Sequence, residues 1–272
     1  MSAISSVSAA MRVLEALGAE PAGLSSGDVQ RLTQIEKSVL SRIVSTLEAE
    51  KYVRRDPKND LICLTIRYPA AALQFLEKTE LLQAAAPVLQ DIADQTGELV
   101  QLAISEGGPP IYLAKAAGRN RIQALPLIGT QAVPHASTAG KLWLASMNDF
   151  DLMAALKDLD LSALTGSTKT DRSDILDDIR AAQKAGYSII DAELSEDVSA
   201  LGVPLSNSQA GTFLGALCIS MPTYRAIQGT SLLQYLPLLQ TQARALATLI
   251  QYHRSQSGNI RAQSGKSKQH VE

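Results

Sequence analysis

Five side chains between residues 37 and 45 carry the chemistry that first stands out in this sequence. Lys37, Ser38, Ser41, Arg42 and Ser45 recur at i, i+1, i+4, i+5 and i+8, so a helix would gather them on one face. Val39, Leu40, Ile43, Val44 and Leu47 would share the opposite, apolar face. A helix that only faces water more commonly carries Glu/Lys pairs. Short hydroxyls set between cations suit a helix pressed into a DNA major groove, where close approach matters. The next ten residues extend the argument. From 51 to 60 the bases Lys51, Arg54, Arg55 and Lys58 face only Asp56 and Asp60. Tyr52 to Arg55 reads as a short strand, Asp56-Pro57-Lys58-Asn59-Asp60 as a turn, and Leu61 to Leu64 as the return strand. Such a basic wing can lie along phosphates and release their counterions. The alternative is an ordinary helix and hairpin with a solvated charge run.

A second chemical feature lies at Pro134 to Lys141, PHASTAGK. Ser137-Thr138-Ala139-Gly140 would open a helix with backbone N–H groups beside small side chains. That arrangement attracts anions, a carboxylate first among metabolite groups. It is equally compatible with a plain hydroxyl cap. Catalysis finds little support. The chain has three histidines, His135, His253 and His270. His135 stands two residues before Ser137, a spacing at which side chains seldom meet, and no G-x-S-x-G elbow is present. Metal-binding H-x-x-x-H, P-loop and G-x-G-x-x-G patterns are also missing, so no cofactor, metal or catalytic residue is expected.

The elements that must position these groups can be read in order. Residues 5–18 predict a helix with Val7, Ala10, Met11, Leu14 and Leu17 buried, ended by Gly18. Ser25-Ser26-Gly27-Asp28 is a capping box that starts a second helix with Val29 and Leu32 in the core. A tight turn at Thr33 to Ile35 leads into the third. Three helices with a short break before the third is the helix-turn-helix requirement. Residues 67–96 predict a linker helix and a second helix, with Pro69 in a first turn and Pro87 as a kink. The apolar linker is a natural dimer surface. Beyond Glu98 come strands at 99–104, 111–115, 121–128, 187–194, 200–205 and 213–220, with helices from Pro134 to Ser146, Ser173 to Ala185 and Leu232 to Tyr252. Strands in hairpins flanked by helices give an α+β domain with an antiparallel sheet. The tail after His253 is Ser/Gln/Lys-rich, and disorder is expected there.

Composition sets outer limits. With 272 residues, 46% hydrophobic, the chain predicts one or two globular domains. Its net charge of −2 means that any nucleic-acid footprint is local. Cys63 and Cys218 form no CxxC and fit a reducing compartment. No signal peptide or membrane span is apparent, which predicts a cytoplasmic protein with no membrane partner.

Three segments carry a resemblance: EKSVLSRIVSTLEAEKYVRRD, PHASTAGKLWLA, and KAGYSIIDAELSEDVSALGVPL followed by LGALCISMP. In this order and at this length the chain resembles, over nearly its full extent, an IclR-type transcriptional regulator of the isocitrate-lyase-regulator family. The resemblance implies a winged helix-turn-helix over 1–67, a linker helix over 68–82, and a GAF-like effector domain over 83–254, with 255–272 as tail. It implies a homodimer or dimer of dimers on a palindromic double-stranded operator. Lys37, Ser38, Ser41, Arg42, Arg54, Arg55 and Lys58 are then the expected DNA contacts. It also tips Ser137, Thr138 and Ala139 from cap to effector pocket. By carry-over, Asp191, Ala200, Cys218 and Ser220 match pocket-lining positions. Many relatives have cysteine where this chain has Ala200. Loss of that polar contact favours a larger or more apolar acid, aromatic or sugar-derived, over a glyoxylate-like one. A GAF-like enzyme and a ligand-independent DNA-binding protein are the competing readings.

Overall fold

The computed structural model describes residues 5–120, 128–206, 211–227 and 232–266, without the side chains of 227 and 253–266. The chain divides into two compact units, Met1–Lys78 and Thr79–Glu272.

The first unit contains α1 (Ser5–Gly18), α2 (Ser26–Thr33), α3 (Lys37–Ala49), β1 (Val53–Arg55), β2 (Ile62–Leu64) and α4 (Arg67–Thr79). Ser25 caps α2 by accepting from the Asp28 amide at 3.1 Å, and its hydroxyl donates to the Asp28 carboxylate at 2.7 Å. Gln34, in the left-handed region at φ 56°, stops α2, and three residues later α3 begins. One core joins the unit: Ala9, Val13, Leu14 and Leu17 of α1, Val29 of α2, Leu40, Ile43, Val44 and Leu47 of α3, and Val53 and Ile62 of the wing.

Two expected core assignments are corrected. Val7 and Met11 are about half exposed, and Ala9 and Val13 take the buried places. Apolar residues occupy neighbouring positions of α1, so periodicity fixes the buried stripe only to within one residue. Leu32 is also exposed, while Thr33 is buried because its hydroxyl donates to the Val29 carbonyl at 2.7 Å. The wing pairs Val53 with Leu64 and Arg55 with Ile62. Leu24 adds two backbone bonds to Ile62, at 2.8 and 3.0 Å. Gly23 makes that approach possible: φ is +90°, and a Cβ there would fall 2.5 Å from the Cys63 sulfur.

α4 has no buried residue, and Leu73 and Phe75 are exposed. The helix break falls at Glu80, in the left-handed region at φ 51°. Pro87 lies inside the next helix, α5 (Leu81–Thr96), without ending it.

The second unit continues with β3 (Leu99–Ile104), β4 (Ile111–Ala117), α6 (Thr138–Ala145), α7 (Asp149–Asp158), α8 (Arg172–Ala185), β5 (Ser188–Asp191), β6 (Val198–Ser206), β7 (Phe213–Pro222), α9 (Thr223–Ile227), a 3-10 turn (Leu232–Tyr235) and α10 (Leu236–Lys266). The strands form one antiparallel sheet in the order β4-β3-β7-β6-β5. Along each strand alternate side chains reach opposite faces. Val100, Leu102, Leu201, Val203, Leu217 and Ile219 pack with Leu89 and Ile92 of α5 and Leu239, Leu246 and Ile250 of α10. The other face receives α6. The strand expected at 121–128 lies almost wholly outside the described residues. α7 was not foreseen from sequence: only Leu152 and Leu156 are buried along it, which leaves a faint period. α10 runs to Lys266, past the point where the sequence suggests disorder. No proline interrupts those residues, so the backbone ladder can continue.

Candidate functional site

The first candidate surface is the outer face of α3. Glu36 precedes it in extended conformation and caps it, accepting from the amides of Ser38 at 3.0 Å and Val39 at 3.2 Å. The Ser38 hydroxyl also donates to this carboxylate. These bonds, the hydroxyl's first, hold the Glu36 carboxyl below its ordinary range. Lys37, Ser38, Ser41, Arg42 and Ser45 are all exposed, and the apolar residues of α3 lie beneath. Of the wing residues, Arg54 and Lys58 are exposed. Arg55 is half-buried and already engaged: its guanidinium meets Glu48 at 3.4 Å and Asp60 at 3.0 Å. Ser38 and Arg55 therefore begin with intramolecular partners, whereas the Arg42 and Arg54 side chains have no hydrogen bond or ion pair among the described residues.

The second candidate site lies where α6 meets the sheet. Ser137 caps α6, accepting from the Gly140 amide at 3.1 Å and donating to the Val133 carbonyl at 2.7 Å. Gly140 permits that tight entry, since a Cβ would stand 2.3 Å from the Val133 oxygen. Thr138 then sits over Gly202 of β6, where a Cβ would lie 2.8 Å from the threonine Cβ. Its hydroxyl donates to the Cys218 sulfur at 3.3 Å. Ala139 joins Cys218, Ala216, Ala103, Tyr112, Ala132 and Leu142 in a cluster of mostly small side chains. Burial pushes the Cys218 thiol up to about 11, so it stays protonated. Tyr112 is likewise held above its ordinary value, by burial first and by the neighbouring Cys218 second.

Strand register decides which sequence-predicted residues meet. Gln101, Cys218 and Gly202 form one cross-strand row; Leu99, Ser220 and Ala200 form the next on the same face. Ser137, Thr138, Ala139 and Cys218 thus come together, with Ala200 and Ser220 one row along. Asp191 does not join them. It is exposed and pairs with Ser199, one residue out of phase with Ala200, so it belongs to rows of the opposite face. Its carboxylate accepts from the Ser199 hydroxyl.

Sequence reasoning passed over two buried polar groups here. Lys141 is 1% exposed, and its ammonium lies 2.7 Å from Asp178 and 2.7 Å from Glu193. Lys169 reaches the other Asp178 oxygen at 2.5 Å. Burial pushes the Asp178 carboxyl upward, but hydrogen bonds from Lys141 and Lys169 overcome it and hold the group below its ordinary value. Burial dominates for Glu193 and holds it above its own. One lysine in the apolar run GKLWLA was the available signal. The second is Gln101, 2% exposed in the apolar strand LVQLAI. Its oxygen accepts from the Ser220 hydroxyl at 3.4 Å, and its Nε2 has no partner among the described residues. His135 is also buried, but it faces the Ser162 carbonyl at 3.2 Å rather than Ser137. No nucleophile and base meet at this helix opening. No metal-binding group of His, Cys, Asp and Glu occurs among the described residues. No helix among them is long and apolar enough to cross a membrane.

The chain is similar to known proteins. A family model for the IclR helix-turn-helix domain matches residues 6–57, and one for the bacterial transcriptional regulator IclR C-terminal domain matches residues 73–248. The transcriptional regulator XynR of Escherichia coli is 24% identical over 93% of this chain and 99% of its own length. An IclR transcriptional regulator from Alicyclobacillus acidocaldarius superposes with a TM-score of 0.77 at 21% identity, covering 92% of this chain and 100% of that one. An IclR homolog from Microbacterium hydrocarbonoxydans, solved in complex with 4-hydroxybenzoate, gives a TM-score of 0.72 at 19% identity over 91% and 99% of the two chains.

Proposed function

Because this chain belongs to the IclR family of bacterial transcriptional regulators, with family models spanning its helix-turn-helix and its C-terminal unit, we propose that it is a repressor relieved by a small carboxylate. That it binds DNA as a regulator, and is not an enzyme, follows from the family itself. The observation that carries the proposal is the wholly exposed polar face of α3 in one unit and the small-residue opening of α6 against the sheet in the other. In this reading residues 1–67 read DNA, 68–82 link, and 83–254 sense the effector.

Ser41 is the candidate for base or sugar contact, Lys37, Arg42, Arg54 and Lys58 for phosphates, with Ser38 and Arg55 available once their internal partners release them. A homodimer would present two α3 helices to successive major grooves of a palindromic operator, about 34 Å apart for half-sites one turn apart. The exposed Leu73 and Phe75 of α4 support a dimer through that helix. The carboxylate would meet the first turn of α6, where amides lack intrahelical partners. Ala200 in place of a polar side chain leaves room for an aromatic or sugar-derived acid, and the 4-hydroxybenzoate of the Microbacterium homolog is consistent with the former. The effector shifts operator binding only by the difference in its affinity for the two states.

The test is a gel shift on DNA flanking the protein's own gene, with and without benzoate, 4-hydroxybenzoate, pyruvate and gluconate. Specific binding released by at least one acid is expected. Binding that none of them changes would overturn the sensor reading.

A further inference from the structure

We infer that Gln101 is a ligand-contacting residue of the effector site, a donor that selects for a carboxylate oxygen. The inference rests on the effector site proposed above and adds a residue from β3, a strand that holds none of the site residues expected from sequence. Three observations carry it.

First, Gln101 is 2% exposed and its Nε2 has no hydrogen-bond partner among the described residues. Exchanging the carboxamide's oxygen and nitrogen would not remove the anomaly, because Ser220 engages one of the two and nothing engages the other. Buried polar groups in native proteins are almost always satisfied, and an orphan inside a candidate pocket marks the place of an absent partner. Second, the register sets Gln101 in the row of Cys218 and Gly202, the two residues that Thr138 of the α6 first turn touches. The orphan atom and the first turn of α6 therefore border the same region. Third, the edge residue opposite Gln101 in that row is Lys115 of β4, an exposed cation. Helix amides, carboxamide hydrogens and an ammonium all call for an acceptor of negative charge, which decides the carboxamide orientation in favour of a free donor.

Gln101→Met keeps the side chain's length and removes the donor. Gln101→Glu keeps its shape and adds a charge. Both would be measured by thermal shift and by operator release with benzoate, 4-hydroxybenzoate, pyruvate and gluconate. For any acid that acts on the wild type, Gln101→Met should weaken the half-saturating concentration about ten- to a hundred-fold. Its melting temperature without ligand should change little, because the substitution removes an unpaired buried donor and, with it, the weak acceptor of the Ser220 hydroxyl. Gln101→Glu should lose the response through repulsion. An unchanged response in the Met variant would overturn the role of Gln101 while leaving the pocket standing. A ligand-free melting temperature that falls in the Met variant by as much as the response weakens would assign Gln101 to structure instead. A wild type silent to every acid would overturn the site and Gln101 together.

Discussion

The two units place their working side chains in opposite environments. On α3 the side chains expected to meet DNA stand in water, and the residues beneath them form an unbroken apolar core. At α6 the polarity is reversed: Ser137, Thr138, Lys141, Gln101 and Ser220 are buried, between a helix and a sheet. A surface reader can be changed one residue at a time, because its side chains have little to do with folding. A buried polar cluster cannot, because each polar group must find a partner once it is out of water. The energetic consequences of mutation should therefore divide between the units: large stability losses in the second, and changes in DNA affinity without stability loss in the first.

Lys141→Ala probes that division most severely. It leaves Asp178 and Glu193 facing each other with only Lys169 nearby, and breaking a buried pair in this way costs about 3–5 kcal/mol. Two unfolding transitions followed in urea should show the second unit destabilised and the first untouched. A loss shared equally by both would break the comparison. Acid separates the two carboxylates as well. Asp178 has a folded value below its ordinary 3.8, so the stability it contributes is present above that pH and is lost as pH falls through the folded value. Glu193 has the opposite sign: its raised value makes ionisation a cost that disappears on acidification toward 4.5. The wild type should therefore lose stability below pH 4 through Asp178, and an Asp178→Asn variant should have a flatter acid limb. Equal limbs in the two proteins would remove Asp178 from the account.

Ala139→Leu is expected to act next most strongly, and on response rather than on fold alone. Ala139 is fully buried against Cys218 and Ala216, so three added carbons must fill the space assigned to the ligand or displace α6. Overpacking of this kind costs about 1–3 kcal/mol. The variant should still bind operator while the effector no longer releases it. Full release by the effector would move the pocket elsewhere.

The same contrast explains what could be read from sequence. The α3 face was legible because a helix period needs only local spacing, and five polar residues met it without exception. The capping box at Ser25 was legible for the same reason. Strand boundaries were nearly so, since β3 and β7 are apolar runs between turn residues. The membership of the buried site was not legible. Asp191 and Ala200 are close in sequence, yet a strand period of two separates their faces, and only the pairing of Asp191 with Ser199 reveals it. Gln101 lies 117 positions from Cys218 and becomes its neighbour through register alone. The α1 stripe was misplaced by a residue or two for a smaller reason: too many apolar neighbours left the period undetermined.

On the exposed side, Arg42→Ala should weaken operator binding and reduce the slope of log affinity against log salt by about one counterion, about 0.9. The unfolding transition of the first unit should not move, because Arg42 lies outside the core. A slope that stays the same would deny Arg42 a phosphate contact.

The smallest effect should come from the wing, and it gives the finest test of the difference between the units. Arg54 and Arg55 are adjacent and equally charged, and sequence treats them alike. In the fold Arg54 is exposed without an ion pair among the described residues, while Arg55 spans from Glu48 at the end of α3 to Asp60 at the wing tip. Recruiting Arg55 to a phosphate would expose two carboxylates to that same phosphate, and both would repel it. Such half-exposed pairs contribute only about 0–1 kcal/mol to stability, so Arg55→Ala should cost the fold little. Its more visible result would be two freed negative charges beside the DNA. Arg54→Ala should then lower the salt slope by about 0.9, as for Arg42, because it removes one phosphate contact. Arg55→Ala should leave the slope nearly unchanged and weaken binding by a small, sequence-independent factor. Equal slopes for the two variants would mean that Arg55 abandons its internal partners on DNA. The wing would then be as free a reader as α3.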